Sequence, residues 1–359
     1  MLPKIPLPAK GDGTGRLQHN IACIRLCDTL SGVMDARLPD SAKPTVRAKH
    51  RFGYRGNMFM LFLGRRFPAA GYFAVGVVSL GFWLFNRQAR LAAMQFQERV
   101  KGIHNRGRLY WHSYQQVRMF GVLLLDRSVA LASANAGITV ASDHRDRLKR
   151  ALDLQRGLLI LTAHFGALEI ATPWLRPHIE PAKMHFVMYR DFSDSTEQFH
   201  QDQWKMLQGM RFINSTDPLA AGLQIMGALR QKQYVGIRAD RVMDGRKVQV
   251  SLLGDNVYLP AGPFTAAVIG KAAVITAFTL RESPRHYRMF VSEPRIYDAD
   301  HGLSRDELVA KAAQDYAADL EALLRKYPHQ WANFYDFWSG HATAIETSNT
   351  NSETTMPET

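Results

Sequence analysis

Cysteine is nearly absent from this chain. Its 359 residues include two, Cys23 and Cys27, which excludes a disulfide scaffold and cannot alone supply a four-ligand zinc site. Several catalytic signatures are missing as well. No G-x-S-x-G elbow surrounds any serine, and there is no G-x4-G-K-[ST] loop and no H-E-x-x-H pair, so the usual serine-hydrolase, P-loop and zinc-protease machinery is not in evidence. Acidic residues are absent from the whole of Ser41 to Gln97. The first forty residues lack an apolar run directly after a charged start, so they do not read as a cleaved signal peptide. The glycines of Gly11 to Gly15 follow no predicted strand and suit a flexible tail better than a phosphate loop.

Apolar residues, by contrast, are plentiful. At 46% hydrophobic and 10% aromatic the chain can bury a sizeable core, and wholesale disorder is excluded. Lys and Arg number 45 against 32 Asp and Glu, a formal charge of +13, which calls for an anionic partner. Nine of those basic residues (Lys43, Arg47, Lys49, Arg51, Arg55, Arg65, Arg66, Arg87 and Arg90) fall in the stretch without acids. They bracket Phe67 to Asn86, twenty residues with no charge. As a helix that run is roughly 30 Å long, about the thickness of a bilayer's hydrocarbon core. Three glycines and Pro68 make it a poor soluble helix but a tolerable membrane one, and Phe82, Trp83 and Phe85 gather at one end as at a membrane interface. Arginines at both ends give no clean orientation, so a half-buried or re-entrant anchor on a basic skirt stands beside a full span. Charges that bracket an apolar run, instead of lining a polar face, disfavour nucleic acid.

The pattern then becomes that of a globular domain. Glu98 to Arg127 reads as helical. Strand candidates are Gly157–Ala163, Met184–Tyr189, Tyr234–Ala239, Val248–Leu253, Ala273–Leu280 and Tyr287–Ser292. Helical stretches lie between them, near Gly166–Leu175, Thr196–Gly209, Pro218–Gln231 and Gly262–Lys271. Ser304 and Glu307 form a capping-box pattern, and Leu308, Ala312, Tyr316, Leu320 and Leu324 form a stripe that ends before Pro328. The alternation predicts an α/β fold with a mixed, mostly parallel central sheet flanked by helices. The expected division is a flexible basic segment over 1–45, a membrane-associated anchor over 46–95, a catalytic domain over 96–340 and a disordered tail over 341–359.

The sharpest motif is His164 at the end of an apolar strand, followed five residues later by Glu169. Ligands bind at strand ends in open α/β sheets. On one continuous helix positions i and i+5 do not face each other. With His164 in the turn and Glu169 in the helix behind it, however, the carboxylate can reach one ring nitrogen. The other nitrogen is then free to act as a general base.

With these landmarks in order, the segment from about Phe52 to Trp338 resembles the bacterial lipid A biosynthesis acyltransferases, a branch of the lysophospholipid acyltransferase superfamily. The matching features are H-x4-[DE] at His164 and Glu169, Tyr189-Arg190 at a strand end, and Asp240-Arg241 where the family has an Asp-Gln-type pair. Leu253-Gly254 through Gly262-Pro263 echoes a Phe-Gly…Gly-Pro segment, and Pro328 to Trp338 resembles the aromatic C-terminal signature. Arg241 and Leu253 depart from the pattern, and Asp191 to Asp194 replaces the Asn-Pro that follows Tyr-Arg.

The resemblance implies transfer of an acyl group from a thioester, on acyl carrier protein or coenzyme A, to a hydroxyl of a lipid or glycolipid. No covalent enzyme intermediate, permanently bound cofactor or metal is implied. His164 is then the base and Glu169 its partner, while Arg190, Asp240, Arg241, Gly262 and Pro263 are substrate-side residues. Arg190 is the first choice to neutralise an oxyanion or grip a phosphate. Expected partners are anionic membrane lipids and the acidic carrier protein, not nucleic acid. The expected location is the cytoplasmic face of a bacterial inner membrane. Two alternatives remain at this level: a non-catalytic lipid-binding protein of the same fold, and a thioester hydrolase. Contact between His164 and Glu169 beside a long apolar tunnel is the feature that favours the enzyme; if the two point apart or no tunnel exists, the non-catalytic reading is favoured.

Overall fold

The computed structural model describes residues 53–132, 137–188, 209–242, 245–298 and 302–338. Tyr189-Arg190, nearly all of the expected helix Thr196–Gly209, and the two terminal segments lie outside them. Among the described residues four helices come first: α1 (Gly53–Arg66), α2 (Pro68–Phe85), α3 (Arg87–Lys101) and α4 (Arg106–Ala132). Pro68 opens α2, where its missing N–H costs nothing. The side chain of Asn86 accepts from Ala89 N–H and begins α3, which Gly102, at φ +61°, ends with a left-handed cap.

A strand–helix alternation follows: β1 (Thr139–Ala141), α5 (Arg145–Asp153), β2 (Leu158–Thr162), a 3-10 turn (Leu168–Ala171) running into a four-residue α6 (Thr172–Leu175), β3 (Met184–Met188) and β4 (Arg211–Asn214). Next come α7 (Pro218–Arg230), β5 (Tyr234–Arg238), β6 (Lys247–Leu252), β7 (Asp255–Pro260), α8 (Ala261–Ile269), β8 (Ala273–Ser283), β9 (His286–Val291), β10 (Arg295–Ile296) and α9 (Arg305–Lys326). Among the described residues the main sheet has the order β1-β9-β8-β2-β5-β3-β4, with β10 also pairing with β8. The pairs from β8 to β4 are parallel, as is β1 with β9, whereas β9 and β10 run antiparallel to β8. The fold is therefore the expected mixed α/β type. All five residues of β2 are buried, which is why they read as a continuous apolar run.

One local expectation needs correction and another gains detail. Val248–Leu253 is a strand as expected, β6, and it pairs with β7 in a hairpin separate from the main sheet. Its turn is Leu253-Gly254, both at positive φ (56° and 88°), the backbone of a two-residue hairpin loop. Glu321 of α9 accepts from Leu253 N–H and so helps hold a non-glycine residue there. The expectation that needs correction is Gly166–Leu175, which does not form one helix. Gly166 sits at φ +70°, and a Cβ there would lie 2.1 Å from the carbonyl oxygen of Thr279. The chain crosses β8 at close quarters before the 3-10 turn starts, so no helix can run through it.

Helix α9 is capped as the sequence predicts, with both hydrogen bonds of the capping box formed. Its apolar stripe packs on one face of the sheet together with Leu159, Leu161, Val235 and Phe278. Phe96 and Val100 of α3 join that same core. On the opposite face, Leu158 and Ile160 pack with Trp174, Leu175 and Met184.

Candidate active site

Strand register builds the site. In the parallel pair β2–β5, Thr162 stands opposite Arg238. Two residues further along each chain come His164 and Asp240, so the pairing that aligns the strands also brings these side chains together, 76 positions apart in sequence. Asp240 is 1% exposed. Its Oδ1 lies 2.9 Å from Nδ1 of His164, and its Oδ2 accepts from the backbone N–H of His164 at 3.0 Å and from the indole N–H of Trp331 at 3.0 Å. A carboxylate accepts at both oxygens, so His164 carries its proton on Nδ1 and leaves Nε2 with a lone pair. The imidazole keeps 29% of its side-chain surface open.

The electrostatics suit that arrangement. Burial alone would raise Asp240, but the His164 charge and hydrogen bond, Arg241 and the Trp331 indole outweigh it and hold the carboxylate well below the usual range. His164 is lowered to about 4: burial dominates, Asp240 opposes it, and Arg241 and Arg238 add to it. At neutral pH the ring is therefore uncharged and able to accept a proton.

Glu169 takes a different place from the one its spacing suggests. It lies in the 3-10 turn, where its carboxylate accepts from Arg238 at 2.6 Å and sits 3.6 Å from Arg127 of α4. Burial would raise it, but those two guanidinium groups pull it down to about 2. Among the described hydrogen bonds, the carboxylate on His164 is that of Asp240 rather than Glu169, so the His164–Glu169 contact expected to mark the enzyme is not formed and its place is taken by Asp240. The physical reason is the Gly166 crossing, which replaces the expected helix start with a tight turn, and the pair of arginines that claims the Glu169 charge. Glu169, Arg127, Arg238 and Thr162 supply polar groups to a cavity that is otherwise apolar, walled by Phe186, Val187, Met188 and Phe212. Gly236 lies in its floor, where a Cβ would stand 2.9 Å from the Met184 side chain. Thr162, two residues before His164 along the chain, is one of the residues that line the cavity, whereas His164 itself is not. Asp240 is already a candidate in the sequence, at the end of a second apolar strand; its pairing with His164 comes from the β2–β5 register, which the sequence does not show.

The remaining candidates divide. Arg241 donates to the carbonyl of Ala332 at 2.6 Å and lies over the Tyr335 ring, so it braces the C-terminal segment, while its Nε has no partner among the described residues. Gly262 and Pro263 occupy the first turn of α8 and make no described contact with His164. Arg190 lies outside the described residues. The C-terminal aromatic segment has a concrete role. Gln97 and Gln116 are hydrogen-bonded to each other, and they donate to the carbonyls of Pro328 and Trp331. From the other side the Gln330 side chain bridges the backbone N–H and carbonyl of Arg281. Ala332 N–H donates to the carbonyl of His164. Trp331 is thereby fixed beneath Asp240.

No curated protein matches the chain. The profile of the family described as bacterial lipid A biosynthesis acyltransferase does match, over residues 115–339. That span is well over half of the sequence and includes His164, Asp240, the apolar cavity and Trp331. On this match the chain belongs to the bacterial lipid A biosynthesis acyltransferase family and is an acyltransferase.

Proposed function

We propose that the chain transfers a fatty acyl group from a thioester to a hydroxyl of a lipid or glycolipid, with His164 as general base and Asp240 as the carboxylate that orients it. The observation that carries this reading is the His164–Asp240 pair at the carboxyl ends of two parallel strands, with Nε2 unprotonated and the ring partly exposed. The acceptor hydroxyl gives its proton to Nε2 as its oxygen attacks the thioester carbonyl. Asp240 stabilises the imidazolium that results. The tetrahedral adduct then collapses, the C–S bond breaks, and the imidazolium returns its proton to the departing thiolate. An ester and a free thiol leave, and every proton is accounted for.

The apolar cavity beside Glu169 suits the acyl chain, and Arg238, which lines it, and Arg241 are the described cations whose charge acts on His164 and which we assign to the developing oxyanion. Glu169 holds Arg238 and Arg127 in position instead of touching the base. The donor is an acyl thioester on acyl carrier protein or coenzyme A, and the basic surplus favours the acidic carrier protein. Together with α2, which is long and apolar enough to cross a membrane by length and composition, the family supports an enzyme on the cytoplasmic side of a bacterial inner membrane.

Incubating the protein with acyl carrier thioester and a membrane lipid extract, followed by mass spectrometry, tests the reading. A lipid heavier by one acyl group is expected, and it should fall by at least a hundredfold in His164→Ala. Free fatty acid as the sole product would replace transfer with hydrolysis. Undiminished transfer by His164→Ala would remove the base.

A further inference from the structure

Helix α2 is packed along its whole length. Gly71 abuts Gly64 of α1 and Leu125 of α4, Val75 and Ser79 close on Gly121, and Gly76 lies beside Tyr114 and Arg118. Trp83 donates to Ser113. The partners fall in number as α2 advances, so α2 and α4 run antiparallel side by side. Glycines at the crossing points allow the close approach. At the start of α2, the Tyr72 hydroxyl donates to Asp126, which also binds Tyr287 and Arg281 from the main sheet. Helix α4 in turn belongs to the catalytic fold, through Gln116 to Trp331 and through Leu123 against Ile170 and Tyr287.

A perpendicular span is incompatible with these contacts. Carrying α2 through hydrocarbon would take Arg118, Gln116 and Asp126, with the sheet attached to them, into the bilayer. The opposite face of α2 is a different surface. Phe73, Val77, Leu80 and Leu84 recur at helical spacing and are exposed, Phe73 by 75%, and Phe59 and Phe62 of α1 continue the patch. Exposed basic groups stand at both ends of the patch: Arg65 and Arg66 before α2, and Arg87 after it, with Arg106 and Arg108 at the adjoining start of α4.

We infer that α1 and α2 lie in the plane of a single leaflet of an anionic bilayer, with the patch among the acyl chains and both arginine clusters at the same headgroup level. This explains why arginines flank the apolar run at both ends: neither end crosses. The inference rests on surface and packing alone, independently of the acyl-transfer reading.

The test uses the full chain with Cys23→Ser and Cys27→Ser, carrying either Arg65→Cys or Arg87→Cys, in sealed right-side-out and inverted inner-membrane vesicles. An impermeant maleimide should label both positions in the same vesicle orientation, with detergent exposing them in the other. Labelling from opposite sides would establish a span and overturn the inference. In parallel, Phe73→Glu and Phe62→Glu together should lower binding of the purified chain to vesicles of phosphatidylglycerol and phosphatidylcholine at least tenfold. Wild-type binding should weaken further on pure phosphatidylcholine. A lipid-independent dimer whose formation those substitutions abolish, with vesicle binding unchanged, would assign the patch to a second copy instead.

Discussion

Replacing Asp240 with Asn tests the site at one atom. The substitution keeps the shape and changes which side of the group can accept. Two N–H donors, from the His164 backbone and the Trp331 indole, converge on the Oδ2 position. Neither can reverse its polarity, so the amide oxygen of Asn must occupy that position and its NH2 must face Nδ1 of His164. The opposite rotamer would leave two buried donors without acceptors. Nδ1 must then accept, the ring proton moves to Nε2, and the nitrogen that should take the hydroxyl proton is blocked.

The expected loss in kcat/KM is roughly 10²–10⁴-fold, about 3–5 kcal/mol of transition-state stabilisation. Stability should change far less. The hydrogen bonds survive as neutral ones, and the difference between charged and neutral acceptors is about 1–2 kcal/mol. The assay is the rate of acyl-ester formation from a thioester donor, run with a thermal melt and with 15N spectroscopy of the His164 ring. Activity within tenfold of wild type, or a ring that still carries its proton on Nδ1, would refute the reasoning. Loss in Glu169→Gln with Asp240→Asn active would return the orienting role to Glu169.

Three other outcomes follow from the same contacts. Glu169 falls from 4.5 to about 2 and His164 from 6.5 to about 4 on folding. Both groups therefore contribute stability that is present above their unfolded values, and it declines as pH drops, from about 6.5 for His164 and about 4.5 for Glu169. The Glu169 share is about 3 kcal/mol, and urea titrations at pH 7 and pH 3 should show the Glu169→Gln variant less pH-dependent than wild type. Trp331→Phe removes the indole donor and should slow transfer while costing about 1–3 kcal/mol in stability. Rates that recover on cooling, as the folded fraction rises, would assign the loss to stability and contradict a positioning role. Gly166→Ala forces a Cβ against the Thr279 carbonyl at positive φ and should destabilise by about 1–3 kcal/mol or more. An unchanged melting temperature would show that the crossing can relax.

Much of the fold is legible in the sequence because its central strands are buried on both faces and announce themselves as apolar runs. The six strand candidates correspond to β2, β3, β5, β6, β8 and β9. The strands that went unread, β1, β4, β7 and β10, are two to six residues long, and all but β7 lie where sheet pairing, not local pattern, makes a strand. The β6–β7 hairpin stayed hidden because the first residue of its two-residue turn is a leucine at positive φ, although Gly254-Asp255-Asn256 offers a turn signal there. The site divides the same way. His164 stands at the end of a legible strand. Its carboxylate partner is a question of register between strands, and the near-sequence candidate Glu169 is diverted by Arg238 and Arg127, one of which lies on a neighbouring strand and the other on a preceding helix. No spacing rule contains that competition.

The part of the chain that carries the family likeness is smaller than the part that holds together. The likeness begins at residue 115, partway along α4, yet Gln97 lies fully buried against Gln116 and reaches the Pro328 carbonyl, and Tyr72 supplies one of the three side-chain donors to buried Asp126. A fragment cut at the edge of the likeness would bare Trp331 and Trp338 where Phe96 packs on them, and would strip Gln97 from Gln116 and from the Pro328 carbonyl. The catalytic segment is thus not portable. Grafting this chemistry elsewhere, or crystallising it alone, means taking α1 to α3 along, lipid-facing surface included.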